Sequence, residues 1–192
     1  MAEFNQALRK VLRHEGVVFN DAGAVLNTGY VDHPDDPGGE TNWGIIVDVA
    51  RAFGYLGPMR ALPYSIVQAI YRRNYWDEIQ GDVIPDQEIA EELFDTGVNC
   101  GMGTAIRFLQ RTLNVLNVKA TKYADIAVDG DFGEKSVAAL KAALQVKPWY
   151  RTAILRTLDS LQCTYYITLA EKNEKFETFM PGWLRTRVGG HE

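Results

Sequence analysis

Apolar residues recur at helical spacing through most of this 192-residue chain, and that periodicity constrains the fold more than any other feature. Phe4, Ala7, Leu8, Val11 and Leu12 fall at i, i+3, i+4, i+7 and i+8, one stripe of a helix over residues 3–14 that Gly16 stops. The same reasoning predicts helices over 46–53, 64–76, 86–98, 104–117, the later part of 127–145, 148–172 and 183–188. In the fourth of these, Ile106, Leu109, Leu113 and Leu116 form the buried stripe. Between residues 17 and 43 the pattern breaks. VVF and GYV are short β-prone runs with the turn-forming string NDAG between them. HPDDPGG (33–39) excludes a helix, because two prolines and paired glycines interrupt it. The expected fold is mainly α (α+β), with a small β-hairpin lobe near the front and a helical C-terminal half. The expected division falls between residues 1–98 and 99–192.

No apolar run reaches the ~18 residues that spanning a bilayer needs, so no membrane anchor is expected. The N-terminus carries Glu3 early and lacks an unbroken apolar stretch, which argues against a cleavable signal peptide. The net charge of −5 is unevenly distributed. Residues 1–99 hold 7 Lys/Arg against 16 Asp/Glu, a net of −9, and residues 100–192 hold 13 against 9, a net of +4. The acidic front argues against nucleic acid as a partner. A basic back half suits a part that holds an anionic polymer. Cys100 and Cys163 have no metal-ligand spacing and read as free thiols, with a disulfide as the alternative in an oxidising space. His33 with Asp35 and Asp36 lacks a further ligand in spacing, so neither a metal nor any other cofactor is expected.

One constellation can carry chemistry. Glu15 stands where the first helix ends, flanked by Val11, Leu12, Val17 and Val18. A carboxyl among apolar neighbours at the negative end of a helix dipole is biased toward its protonated form. The loop that follows supplies Asp32, Asp35, Asp36 and Glu40, and then Thr41, Asn42, Trp43 and Gly44. An acid paired with a second carboxylate is what hydrolysis of a glycosidic bond requires. By position alone Glu15 also fits a solvated helix end, and the loop fits a surface turn or a calcium site.

The strings HEG (14–16), GYVDHPDDPGGETNWGI (29–45) and IYRRNYWDEI (70–79) resemble glycoside hydrolase family 108, phage and bacterial N-acetylmuramidases with a lysozyme-like helical fold. The resemblance covers roughly residues 5–95. The order Glu, Tyr-x-Asp, Gly-x-Thr-x-x-Gly-Ile is also similar to phage-type lysozymes, in which a Glu, an Asp and a Thr work together. The resemblance implies Glu15 as catalytic acid, Thr41 in a catalytic role, and Tyr30, Asp32, Asn42 and Trp43 as substrate contacts. For the second carboxylate Asp36 is favoured, with Asp32 and Asp35 as competitors. Thr41 holding a water, with no carboxylate nucleophile, is a further alternative. The family's Glu-Gly-Gly string is broken here by Val17. Tyr71, Tyr75 and Trp76 read as core packing, with sugar stacking as the lesser option.

TGVNCGMGTAIRFLQRTLN (96–114), VDGDFGEKSVAAL (128–140) and KFETFMPGWLRTRV (175–188) resemble the peptidoglycan-binding module that often follows this catalytic domain. Asp129 and Asp131 are expected to cap the turn and the following helix, with Gly130 and Gly133 permitting the tight backbone. An EF-hand is excluded, because the third ligand position and a bidentate Glu are missing. The resemblance thus implies an endolysin-type muramidase that cuts β-1,4 bonds between N-acetylmuramic acid and N-acetylglucosamine. Its partner is the peptidoglycan glycan strand. It would act as a monomer, made in the cytoplasm and reaching the periplasmic wall after a separate pore-forming protein opens the membrane. A lytic transglycosylase and a non-catalytic wall-binding protein are the alternatives.

Overall fold

A computed structural model describes residues 1–32 and 39–189, and its chain folds as two compact units. The front unit is Phe4–Asp77, and the back unit is the chain from Glu78 onward together with Met1–Glu3. Among the described residues the fold is mainly α, with two small antiparallel sheets.

The front unit opens with α1 (Phe4–His14), and all five residues of the expected stripe are buried. The helix closes in a Schellman arrangement. Val17 N–H donates to the Leu12 carbonyl at 2.9 Å, and Gly16 N–H to the Arg13 carbonyl at 3.1 Å. Gly16 takes the left-handed φ of +85° that this ending needs. Val17 occupies the next position, where an apolar residue packs back on the helix, and it is buried with Leu12. Its departure from Glu-Gly-Gly is thus absorbed by the cap and leaves Glu15 at the C-cap, one residue past the helix.

β1 (Val18–Phe19) pairs antiparallel with β2 (Val25–Asn27) around a turn closed by Asn20, whose side-chain oxygen accepts from Ala24 N–H. The partner of VVF is therefore VLN and not the GYV run. GYV instead contributes Val31, which forms an isolated bridge with Thr41. β3 (Thr41–Asn42) and β4 (Ile45–Ile46) make a second hairpin. α2 (Val47–Ala52) and α3 (Tyr64–Tyr71) follow, the latter entered from Pro63. The sequence predicts one helix over 64–76. The structure widens its last turn to a π-helix over Arg72–Trp76, with Asp77 N–H bonded to the Arg72 carbonyl five residues back.

In the back unit α4 (Gln87–Cys100) and α5 (Met102–Leu116) pack on each other and on α7 (Trp149–Lys172). α6 (Glu134–Val146) lies against α5 and α7, and α8 (Met180–Thr186) against α7. Gly101 alone separates α4 from α5, so the expected break at 99–103 shrinks to one residue. α4 is buried along most of its length, which explains why it folds with these helices. Asp86 caps its N-terminus by accepting from Ile89 N–H and also pairs with Arg151 of α7. At the other end Arg187 pairs with Asp95 at 2.8 Å, both side chains buried. Burial raises the Cys100 thiol to about 11, and both cysteines are free.

The irregular segment between α5 and α6 is pinned from α5 by amide side chains. Asn114 donates to the Ile126 carbonyl and accepts from Ile126 N–H, at 2.8 and 2.9 Å. Gln110 donates to Asp129 at 2.7 Å and accepts from Gly130 N–H at 2.9 Å. Asn117 donates to Asp125 at 2.6 Å and accepts from Ala120 N–H at 3.0 Å. These bonds hold Val118, Lys119 and Ala120 in the left-handed region, φ 55°, 58° and 56°. That conformation costs an L-residue about 1–2 kcal/mol each. Asp129 behaves as an Asx turn, accepting from Asp131 N–H, and these two bonds hold its carboxyl below the usual range. Asp131 does not cap α6, which begins after Gly133 with no side-chain cap.

Replacing Arg187 by Ala is expected to leave the Asp95 carboxylate buried without its cation and to lower stability by about 3–5 kcal/mol, read by denaturant unfolding. Loss under 1 kcal/mol would show that the pair does not support the α4–α8 region.

Candidate active site

Glu15 is half-buried at the end of α1, and the second hairpin is folded onto it. A Cβ added to Gly44 would lie 2.8 Å from Glu15 Cγ and 2.7 Å from Tyr71 Oη. The backbone of the hairpin turn thus touches the Glu15 side chain directly, with no room for any residue but glycine. Trp43 and Gly44 have φ of 57° and 72°, the two positive values that a two-residue type I′ hairpin requires. Glycine adopts this freely, but tryptophan does not. Three contacts hold Trp43 there. Its N–H donates to the Thr28 carbonyl at 3.0 Å, its carbonyl accepts from Tyr71 Oη at 2.9 Å, and its ring packs on Tyr64 at 5.2 Å. Strain of this kind concentrates where a structure over-determines a functional geometry.

Tyr71 and Tyr75 complete the wall on this side. Their rings lie 5.7 Å apart, one helical turn separated. Tyr71 is buried, as the packing reading of this string expects, and Trp76 is fully buried. The hydroxyl of Tyr71 nonetheless has a specific partner in the hairpin turn. Burial first, and then the negative charge of Glu15, push the Tyr75 phenol above its usual range. The sequence reads both tyrosines as core packing, with sugar stacking as the lesser option, and gives no sign of the bond from Tyr71 to the turn.

The remaining candidates separate by what they touch. Thr41 is half-buried on β3, its backbone paired both ways with Val31 at 2.8 and 2.9 Å. Asn42 is fully buried, and its amide donates to the Met59 carbonyl at 2.7 Å. It ties β3 to the turn at Met59–Ala61 and offers no surface to a substrate. Trp43 is likewise turned inward at 5% exposure. Tyr30 donates to Glu40 at 2.7 Å, which holds its phenol above the usual range, and Arg60 stacks on its ring at 4.2 Å. Asp32 is exposed beside this group. Among the described loop carboxylates, Glu40 is held by this hydrogen bond from Tyr30. His33, Asp35 and Asp36 lie outside the described residues. Among the described residues no group of three His, Cys, Asp or Glu could hold a metal ion.

Glu15→Gln removes the charge that disfavours the Tyr75 phenolate, so the Tyr75 phenol is expected to titrate lower than in the wild type, while staying above an exposed tyrosine because burial persists. Ultraviolet difference titration reads this, and an unmoved transition would place Tyr75 out of reach of Glu15.

Residues 8–101 match the family model described as Glycosyl hydrolase 108, and residues 104–188 match one described as Predicted Peptidoglycan domain. The solved structure of Brucella abortus SagA is similar to this chain, with a TM-score of 0.65 and 26% identity over 96% of this chain and 91% of that one. No curated protein matches the sequence. Residues 8–101 thus carry a glycosyl hydrolase 108 domain and residues 104–188 a peptidoglycan domain, which together make the chain a peptidoglycan-degrading muramidase.

Proposed function

We propose that this enzyme is an endolysin-type N-acetylmuramidase with Glu15 as general acid, hydrolysing the β-1,4 bond between N-acetylmuramic acid and N-acetylglucosamine. The observation that carries the reading is the packing of the Trp43–Gly44 turn and Tyr71 against Glu15, because a general acid must be held in one geometry to protonate the leaving oxygen. Tyr75 adds a half-buried apolar wall beside the carboxyl. Attack on the anomeric carbon then comes from a water or from Asp36, with Thr41 orienting the water. Tyr30 and Asp32 bind substrate at the rim, Tyr30 through the Glu40–Arg60 group that holds it. Catalysis belongs to residues 1–98 and wall-holding to residues 99–192.

In the endolysin role the protein acts as a monomer and lyses its host from within, once a separate pore-forming protein gives it access to the wall. Among the described residues no helix is long and apolar enough to cross a membrane. Expression with and without a pore-forming protein tests this role, with lysis expected only in its presence.

Glu15→Gln is expected to reduce muropeptide release from purified walls by about 10²–10⁴-fold, the usual range for loss of a general acid. Mass spectrometry should find reducing ends among wild-type products. Undiminished release by the variant removes Glu15 from the mechanism, and 1,6-anhydro ends would make the enzyme a transglycosylase.

Gly44→Ala drives a methyl into Glu15 Cγ and Tyr71 Oη, so it should depress kcat by at least roughly tenfold, since small misplacements of a catalytic group cost that much and more. A variant that melts like the wild type yet keeps full kcat would show that the turn does not set the position of Glu15.

A further inference from the structure

The back unit holds an open groove between α6 and the pinned segment that precedes it. Two adjoining clefts, about 490 and 320 Å³, share Ile126 and Lys135. Tyr123, Ile126 and the methyl groups of Ala138 and Ala142 wall the larger one, with Asp125 at its margin. Asp129, Asp131 and Glu134 come together at the smaller one.

The outer wall is built before any ligand arrives. It has no helix or strand, yet Gln110, Asn114 and Asn117 of the α5 face pin it at Asp129, Ile126 and Asp125. Tyr123 is anchored as well, its hydroxyl donating to the Leu113 carbonyl at 2.9 Å. Long irregular segments in compact domains are most often binding loops, and a concave, preformed surface with a few polar groups is the usual form of a ligand site.

We propose that this groove binds the stem peptide of peptidoglycan and not its sugars. The proposal rests on the reading of residues 104–188 as a wall-holding domain. Sugar sites present broad aromatic faces, whereas the larger cleft has one aromatic wall and is otherwise lined by Ile126 and several alanines, with Asp125 and Lys135 as its charged members. Those alanines match the methyl side chains of a stem peptide. The Lys135 ammonium, exposed at the junction of the two clefts, meets a peptide carboxylate. Asp129, Asp131 and Glu134 receive a free ammonium such as that of a diamino acid. A peptide bearing both charges fits the order of charges along the groove, whereas a glycan strand freed of its peptides carries lactyl carboxylates but no ammonium for the acidic cluster.

The test titrates the full chain, methyl-labelled for NMR, with stem peptides freed from walls by an amidase, and separately with the glycan strands left behind. Methyl resonances of Ala138, Ala142 and Ile126 are expected to shift with the peptides alone. Ala138→Trp, which fills the larger cleft from an exposed position, and Lys135→Glu should each weaken peptide binding roughly tenfold, equivalent to about 1.4 kcal/mol. Shifts of these methyls with glycan strands, no shift with the peptides, or wild-type affinity in both variants would overturn the proposal. Wall hydrolysis by the wild type is followed in parallel. Reducing ends without peptide binding remove the groove's role and leave the muramidase reading standing, and peptide binding without reducing ends does the opposite.

Discussion

The contact between the Trp43–Gly44 turn and the side chain of Glu15 is the constraint on which the front unit's candidate chemistry depends. It joins three segments far apart in sequence: the end of α1, the second hairpin and α3. Each meets the contact with a local device. α1 ends on a glycine cap that leaves Glu15 at the C-cap, the hairpin takes a turn with two left-handed residues, and α3 sends one tyrosine hydroxyl to the Trp43 carbonyl. The strained tryptophan is the informative member. A left-handed conformation of a bulky residue persists only when its surroundings leave it no alternative, and here the Thr28 carbonyl, the Tyr71 hydroxyl and the tilted Tyr64 ring do so together.

A second theme is polar side chains used to hold backbone. Asn42 spends its amide on the Met59 carbonyl, and Gln110, Asn114 and Asn117 do the same for the segment ahead of α6. An amide carries both a donor and an acceptor, so it mimics a peptide group and substitutes for a strand partner where none exists. Burying a polar group unpaired costs free energy, and irregular backbone therefore acquires fixed positions wherever such side chains bond to it. The result is structure without regular elements in the places where a surface has to be shaped.

Most of the helices were legible in the sequence, because an apolar stripe reports its own burial whatever it packs against. The stripe of Phe4, Ala7, Leu8, Val11 and Leu12 is buried as read. Strand pairing was less legible. VVF pairs with VLN and not with GYV, since short strands carry too little pattern to specify a register. The π-helical turn at Arg72–Trp76 was not legible, as a single widened turn of five residues is too short to show a period of its own. In the site, Glu15 and Thr41 stood out by order along the chain. Asn42 and Trp43 stood out too, but which way a side chain faces from a two-residue strand or a turn depends on neighbours the local string does not name. Tyr71 was read as a packing residue, and its role as a hydrogen-bond donor to the turn lies in one atom that periodicity does not weigh.

The sequence by itself determined where helices form, where they stop and which segment resembles which family, because these follow from local spacing, glycine and proline. It also placed a carboxyl at the end of α1. Only the tertiary structure decided what surrounds that carboxyl. The approach of Gly44, the hydroxyl of Tyr71 and the nearby Tyr75 come from segments separated by tens of residues, and their convergence is set by packing, which no local pattern encodes.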